Sequence, residues 1–476
     1  MPRLTIGLLA GVLCSNLAAQ TPPVPSTPSP LADYVGTYRY RHGRDVEIVA
    51  GAGLFAVLDG AKYALRYAEA DAFLNAGGDT VRFRRGPDGA VAGLTEGGDF
   101  FPRLSAEVTP RAAALVRPRP PGQDAPSDYR YGPPADLHDG IPVGDIAASD
   151  LGESTAVRIV RGVLDGTYPD VHSVLLYQRG RLVMEEYFYG YDAAQPHQLR
   201  SATKSIVGAL AGIAVARGAL SGASERVLPH LPYHAYANPD PRKAAITLGD
   251  FLTMRSGLDC NDHSATSPGR EEVIDDTPDW VKATLDLPMI DDPGTKAFYC
   301  SGGVAVVGRV TELATRMRLP DLAQKYLFAP LGIGRGEWVW NYDLTNADRE
   351  FSQIHLRPRD MLKIGLLYAR GGRWAGRQVI PASWVRSSLA AHSEVDGTGY
   401  GYFWWRPYLN VPTASGTRRV YFDAAQGNGG QKIYIVPQYD LVAVFTAGAY
   451  NAEEAPSNRI MVQVVLPALI AAAGRQ

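Results

Sequence analysis

Lysine is scarce in this chain: eight of 476 residues, against 39 arginines. Basic and acidic side chains nearly cancel, 47 against 49, for a formal net charge of −2. The arginines are scattered, so no basic patch exists to neutralise phosphates, and nucleic acid is excluded as a partner. Long apolar runs are missing too: no internal stretch reaches the 18 or more residues that a membrane-spanning helix needs. The nine histidines fall in neither an H-x-H nor an H-E-x-x-H spacing, which gives a metal site no support. No G-x-S-x-G nucleophile elbow occurs, and nothing calls for a cofactor. Cysteine is limited to Cys14, Cys260 and Cys300.

What is present is ordinary in bulk. The chain is 46% hydrophobic and 20% charged, the balance of a globular protein long enough for two or three domains. Residues 1–20 read as a signal peptide: Arg3 supplies the charge, residues 4–17 the apolar core, and Leu17, Ala18 and Ala19 a cleavage site. The mature chain is therefore expected in the periplasm or outside the cell. A lipoprotein anchor on Cys14 is disfavoured, because Leu13 is too large for the usual lipobox. Export implies oxidising conditions, and cleavage leaves two cysteines, so Cys260 and Cys300 are expected to pair. Two unpaired buried thiols are the alternative.

Residues 21–30 form a Pro-rich linker. From 31 to 105 short β-type runs (34–40, 46–49, 54–58, 63–67, 81–84 and 91–94) alternate with Gly, Asp and Asn turns, the pattern of a small all-β barrel or meander. No catalytic constellation lies in it, and a structural appendage is preferred over a ligand-binding or lid domain. Residues 106–140 read as a second linker. The remainder, 141–476, has strands at both ends and helices between. A helix is expected at 155–164 with Val157, Val160 and Leu164 inward, then a hairpin of 171–177 and 182–187. Strands return at 400–405, 419–424, 432–436 and 441–446, before a helix at 457–473. The fold class is α/β: an antiparallel sheet flanked by helices with an all-α insertion, preceded by the small β-domain.

Three elements carry chemistry. Ser201 and Lys204 make an S-x-x-K pair at the head of an apolar helix, 206–216, ending at Gly218. Residues three apart share a helix face, so hydroxyl and amine are neighbours. An amine desolvated among apolar residues has a lowered pKa and can activate the hydroxyl. By itself the pattern is weak, and for a lone match an exposed helix with a solvated lysine is the favoured reading. The scarcity of lysine and the two helical glycines, Gly208 and Gly212, point to a packed helix instead. The second element is Tyr299, two residues before Ser301, on a Gly-flanked loop that feeds the helix 304–313. Its phenol can share a proton with Lys204 and pass it to a leaving group. The third is the turn of Asn428, Gly429, Gly430 and Gln431 that opens strand 432–436. The N–H of Gln431 can be a second oxyanion donor beside that of Ser201; a plain hairpin turn is the alternative. His263, close to Cys260, is the histidine to watch, though a surface loop accounts for it.

With these motifs in this order, 98 and 129 residues apart (201 to 299, 299 to 428), the chain resembles the serine β-lactamase and penicillin-binding-protein superfamily. Within it the likeness is to class C-like hydrolases: β-lactamase-related carboxylesterases and nylon-oligomer (aminohexanoate dimer) hydrolases. It spans residues 139–473 and includes the framework stretches 252–258, 356–361 and 400–405. The resemblance implies Ser201 as the acylated nucleophile, Lys204 and Tyr299 as the shared base and acid, and backbone donors at Ser201 and Gln431. The implied partner is a small-molecule ester or amide, bound past Ser301, Asn428, Gly429 and Gly430; oligomeric state is not readable. Two departures stand out. Ser301 occupies the place of an Asn usual in β-lactamases, and Asn428 that of the Lys of their third motif. A neutral amide there is expected to favour neutral esters over anionic β-lactams. The rivals are a D-amino-acid carboxypeptidase, aminopeptidase or β-lactamase acting on cell-wall-like substrates, and a non-catalytic penicillin-binding-like sensor.

Overall fold

The computed structural model describes residues 30–475 apart from 42–43, 59, 76–77, 121, 341–352, 415 and 453. The segment read as a signal peptide, and residues 21–29 of the Pro-rich linker, lie outside the described residues. The chain divides after Thr109 into two compact units, with Gly60–Lys62 counted with the second.

The first unit is a closed eight-stranded barrel: β1 (Gly36–Arg39), β2 (Asp45–Ala50), β3 (Leu54–Leu58), β4 (Ala61–Glu69), β5 (Ala72–Leu74), β6 (Thr80–Arg85), β7 (Val91–Glu96) and β8 (Asp99–Ser105). Each strand lies beside the next, and β8 returns antiparallel to β1. Closure removes the free edges that an open sheet of this size would leave. Inside, Tyr34, Tyr38, Phe73 and Phe83 pack ring against ring, with Tyr34 and Phe83 4.6 Å apart. Two strands escaped the sequence. β5 is three residues long, and β8 contains Pro102, a residue that argues against a strand because it cannot donate to the ladder.

The second unit is built on an antiparallel sheet of eight strands: β9 (Val171–Gln178), β10 (Arg181–Tyr187), β11 (Ser393–Val395), β12 (Thr398–Tyr400), β13 (Trp405–Arg406), β14 (Asp423–Gly427), β15 (Gln431–Val436) and β16 (Leu441–Ala447). In space their order is β10-β9-β16-β15-β14-β13-β12-β11. The middle strands β9, β15 and β16 are buried along their whole length, which is why they read as near-continuous apolar runs. Helices cover both faces. The helix α4 (Pro358–Ala369) comes so close on one that a Cβ on Gly365 would lie 2.7 Å from Ile433 and Val442. On the other lies the helical run α5 (Pro456–Ala473), whose Asn458 takes the Tyr434 hydroxyl at 2.6 Å. Alternation along β15 therefore sends Ile433 and Ile435 toward α4, and Lys432 and Tyr434 toward α5. α5 is long and apolar enough to cross a membrane, yet Ile460, Met461, Val464, Val465 and Leu469 are buried within this unit. The helix α1 (Glu153–Leu164) packs beside it, Arg158 donating to the Gln463 carbonyl at 2.8 Å.

Several local expectations change. α1 buries Ala156, Ile159, Val160 and Val163, leaving Val157 and Leu164 at the margin, so its inner face is turned from the one expected. Residues 400–405 are not one strand. β12 ends at Tyr400, the chain turns through Phe403 at φ +58°, and β13 resumes at Trp405. The run 419–424 belongs to two strands: Gly416–Tyr421 pairs with Tyr408–Thr413 in a separate hairpin, and only Asp423 onward joins the sheet. The insertion between β10 and β11 is mainly helical, with α2 (Thr203–Ala216) against α3 (Gly302–Thr315), but it also holds a three-stranded sheet of His197–Gln198, Val339–Trp340 and Ile354–Leu356. Part of the stretch read as a linker is anchored to β10. The Tyr131 hydroxyl donates to the Val183 carbonyl at 2.9 Å, and Arg119 pairs with Glu186 at 2.7 Å.

Candidate active site

Ser201 sits in a single turn of tighter helix, Arg200–Ala202, that runs straight into α2. Arg200 just before it has a left-handed backbone at φ +50°, a conformation costly for a residue with a side chain and held only where surroundings dictate it. Those surroundings include β14: a Cβ on Gly427 would lie 2.1 Å from the Leu199 carbonyl oxygen. The strand end and the nucleophile turn thus touch backbone to backbone. α2 itself is buried on every side from Thr203 to Ala214. Gly212 admits the Trp384 ring, which a Cβ would meet at 2.3 Å, and the Trp384 indole N–H donates to the Gly208 carbonyl at 3.0 Å. The two glycines are where the neighbouring element comes in.

Lys204 is 1% exposed. Its Nζ donates to Ser201 Oγ at 3.1 Å and to Ser301 Oγ at 3.0 Å, with the Tyr299 ring centroid 4.8 Å away. Burial alone pushes the amine down, but Tyr299, Glu271 and Asp262 outweigh it and hold the pKa above the ordinary lysine value. The lowered pKa expected from desolvation is thus corrected: nearby negative charge wins over burial.

Tyr299 is buried and stacks against His263 at 5.1 Å and Trp405 at 5.4 Å. His263 in turn meets Asp396, Nδ1 to Oδ2 at 2.6 Å, on the solvent side. The backbone of the Tyr299 loop is fixed by Asp262. Its N–H donates to the Tyr299 carbonyl at 2.8 Å, and its Oδ2 accepts the Ser301 N–H at 2.8 Å. Burial raises the Asp262 pKa against the pull of Lys204 and Ser301. The pairing of Cys260 with Cys300, Cα atoms 5.3 Å apart, joins the two loops covalently.

In front of Ser201 lies a cleft of about 340 Å³ lined by His263, Tyr299, Trp405, Gln426 to Gly430, Lys432, Ala449 and Asn458. Asn428, Gly429 and Gly430 stand on its wall as the sequence suggested, but the Asn428 amide is occupied. Its Nδ2 donates to Asn451 Oδ1 at 2.7 Å, and its Oδ1 accepts the Asn451 N–H at 2.9 Å. Gln431 is buried behind the turn, opposite Gly427 in the ladder, and is not among the lining residues. Its side chain bridges the carbonyls of Asn428 and Ala447. Ser301 is likewise turned away from the cleft, toward Lys204.

The structure therefore gathers Ser201, Lys204, Tyr299 and Ser301 in one cluster, with the 428–430 turn across the cleft. Two residues were missed. Asp262 carries no motif, and only the Cys260–Cys300 pairing hinted that its loop lies near Tyr299. Lys432 was read as a strand residue and nothing more.

Residues 170–465 match the family model described as Beta-lactamase. A 6-aminohexanoate-dimer hydrolase of Paenarthrobacter ureafaciens is 26% identical over 301 residues, 59% of this chain and 73% of that protein. Among solved structures, the octameric penicillin-binding protein homologue of Pyrococcus abyssi aligns with a TM-score of 0.50 at 15% identity, over 66% of this chain and 76% of that one. EstCE1, a hydrolase with promiscuous acyltransferase activity, aligns with a TM-score of 0.52 at 15% identity, over 66% and 98%. At such identities the structural likeness speaks to the fold.

Proposed function

This chain belongs to the Beta-lactamase family, and from that premise we propose that it is a serine hydrolase cleaving ester or small amide bonds through an acyl-enzyme on Ser201. The observation that carries the reading is the Lys204–Ser201 contact of 3.1 Å at the mouth of an open cleft. A hydroxyl becomes a competent nucleophile when a positioned group takes its proton. Lys204 and Tyr299 act as one base, in the form of the pair that holds one proton fewer than ammonium plus phenol: the pair takes the Ser201 proton as Oγ attacks the carbonyl, and the negative charge passes to the oxyanion. The same pair returns the proton to the leaving group, and water then repeats the sequence to release the acid. The developing oxyanion is held by the N–H of Ser201 and a donor from the turn. Asn428 or Gly429, on the cleft wall, suits that role better than Gln431 behind it. The 6-aminohexanoate-dimer hydrolase and EstCE1 support hydrolysis of small substrates, the first by sequence and the second by fold. The Cys260–Cys300 bond supports export to an oxidising compartment. A D-amino-acid peptidase or β-lactamase is the second reading, favoured by one observation, a buried cation on the cleft floor.

Ser201→Ala is expected to abolish turnover of 4-nitrophenyl butyrate, and intact-mass spectrometry of the wild type with a slow ester should place one acyl adduct on Ser201. An active Ser201→Ala protein would overturn the assignment.

A further inference from the structure

Lys432 is the unusual residue of the cleft. It is one of eight lysines in 476 residues, it lines the same space as Ser201, and it is only 7% exposed. Its Nζ donates to Gln426 Oε1, a neutral acceptor. Among the described residues no carboxylate lies within ion-pair distance of it. The cleft it lines holds no Asp or Glu: the rest of the lining is Ser201, His263, Tyr299, Trp405, the amides of Asn428 and Asn458, and glycines and alanines. A cation removed from water without a counter-charge is costly, and an apolar residue of similar volume would fit such a site at lower cost. An ammonium also has three donors, and Gln426 accepts one. The balance is restored when a ligand brings an acceptor that is itself negative.

We propose that Lys432 is the anchor for a carboxylate carried by the substrate, so that the cleft selects esters or small amides with an anionic group near the scissile bond. The proposal rests on the acyl-enzyme reading above and refines which substrates it takes. It also reverses the preference for neutral esters that Asn428 suggested from sequence. The Asn428 amide is tied to Asn451, and the positive charge stands four residues further on. Burial lowers the Lys432 pKa to about 8, so near neutral pH the group is mostly cationic and able to bind an anion. A carboxylate at Nζ would make a charge-assisted hydrogen bond in a dry site, stronger than the neutral bond to Gln426.

The test compares ester pairs that differ in a carboxylate alone, at pH 7. On the acyl side these are 4-nitrophenyl butyrate and the 4-nitrophenyl monoester of glutaric acid; on the leaving side, phenyl butyrate and the butyrate ester of 4-hydroxybenzoic acid. In the wild type, the carboxylate member of at least one pair should have the higher kcat/KM, chiefly through KM. In Lys432→Met the ratio of charged to neutral kcat/KM should fall about 10- to 100-fold for that pair, the effect of losing one hydrogen bond to a charged group. Lys432→Arg should keep part of the preference. Equal ratios in wild type and Lys432→Met, for both pairs, would overturn the proposal while leaving Ser201-dependent turnover of neutral esters standing. Calorimetric binding of glutarate gives an answer that needs no turnover: affinity at least tenfold weaker in Lys432→Met supports the anchor, and equal affinity refutes it. Lys432→Gln repeats both measurements if the Met protein does not fold.

Discussion

Two buried lysines in this protein titrate in opposite directions, and the difference is in their company. Lys204 has Tyr299, Glu271 and Asp262 around it and is held above its ordinary value; Lys432 has burial alone and is pushed down to about 8. The second fact makes a stability prediction. In the unfolded chain the lysine titrates near 10.4, so between about pH 8 and 10.4 the unfolded state binds more protons, and stability rises with pH across that window. Below pH 8 the full penalty of the buried cation is present, about 3 kcal/mol from a shift of this size. Lys432→Met is therefore expected to raise the unfolding free energy at pH 7 by up to about 3 kcal/mol, with the gain shrinking toward pH 10. Urea denaturation of both proteins at several pH values checks it; a gain independent of pH would mean that folding leaves the Lys432 pKa unshifted. Sequence made Ser201 and Lys204 legible because three-residue spacing on a helix is a local fact. Tyr299 needed a known motif order beside it. Asp262 was invisible, since its position depends on two loops meeting, and Lys432 too, since no local pattern distinguishes a cleft-facing strand residue from a solvent-facing one.

At the scale of elements, α2 works as a fixed mount. Its glycines were readable as places of close approach, and the Trp384 ring is what approaches. Gly212→Val should push that ring aside and cost about 1–3 kcal/mol in unfolding free energy, the range for overpacking a filled core. Because Ser201 is on the same helix head, kcat should fall with it. A Gly212→Val protein as stable as the wild type would mean that the 384 segment gives way freely. What misled the reading of other elements is equally physical. The 419–424 run looked like one strand because its β-type residues are continuous, whereas the break at Phe422 is made by tertiary pairing with 408–413. The turned face of α1 arose from weighing Val157 and Leu164 over Ala156 and Ile159, a choice that only the sheet and α5 decide.

Among the described residues the barrel has a core of its own, separate from the core that α2, α3 and α4 share with the sheet in the second unit. Calorimetry is expected to resolve two unfolding transitions. Phe83→Ala, which empties part of the barrel core at a cost of about 3–5 kcal/mol, should lower one and leave the other in place. A single transition that moves as a whole would mean the units unfold together. The large-scale plan was legible: strands at both ends of the second unit with helices between them implied a sheet closed late by the C-terminal segment. That arrangement sets a timetable. β9 ends at Gln178, and its neighbour β16 begins at Leu441, 263 residues later; at about 5–20 residues per second of synthesis the gap is on the order of tens of seconds. From the making of α2 until β14 and β15 follow at residues 423–436, Ser201 has no opposite wall and Lys432 has not been made. A ribosome that stalls between residues 217 and 422 therefore releases a chain with its nucleophile but no wall across from it.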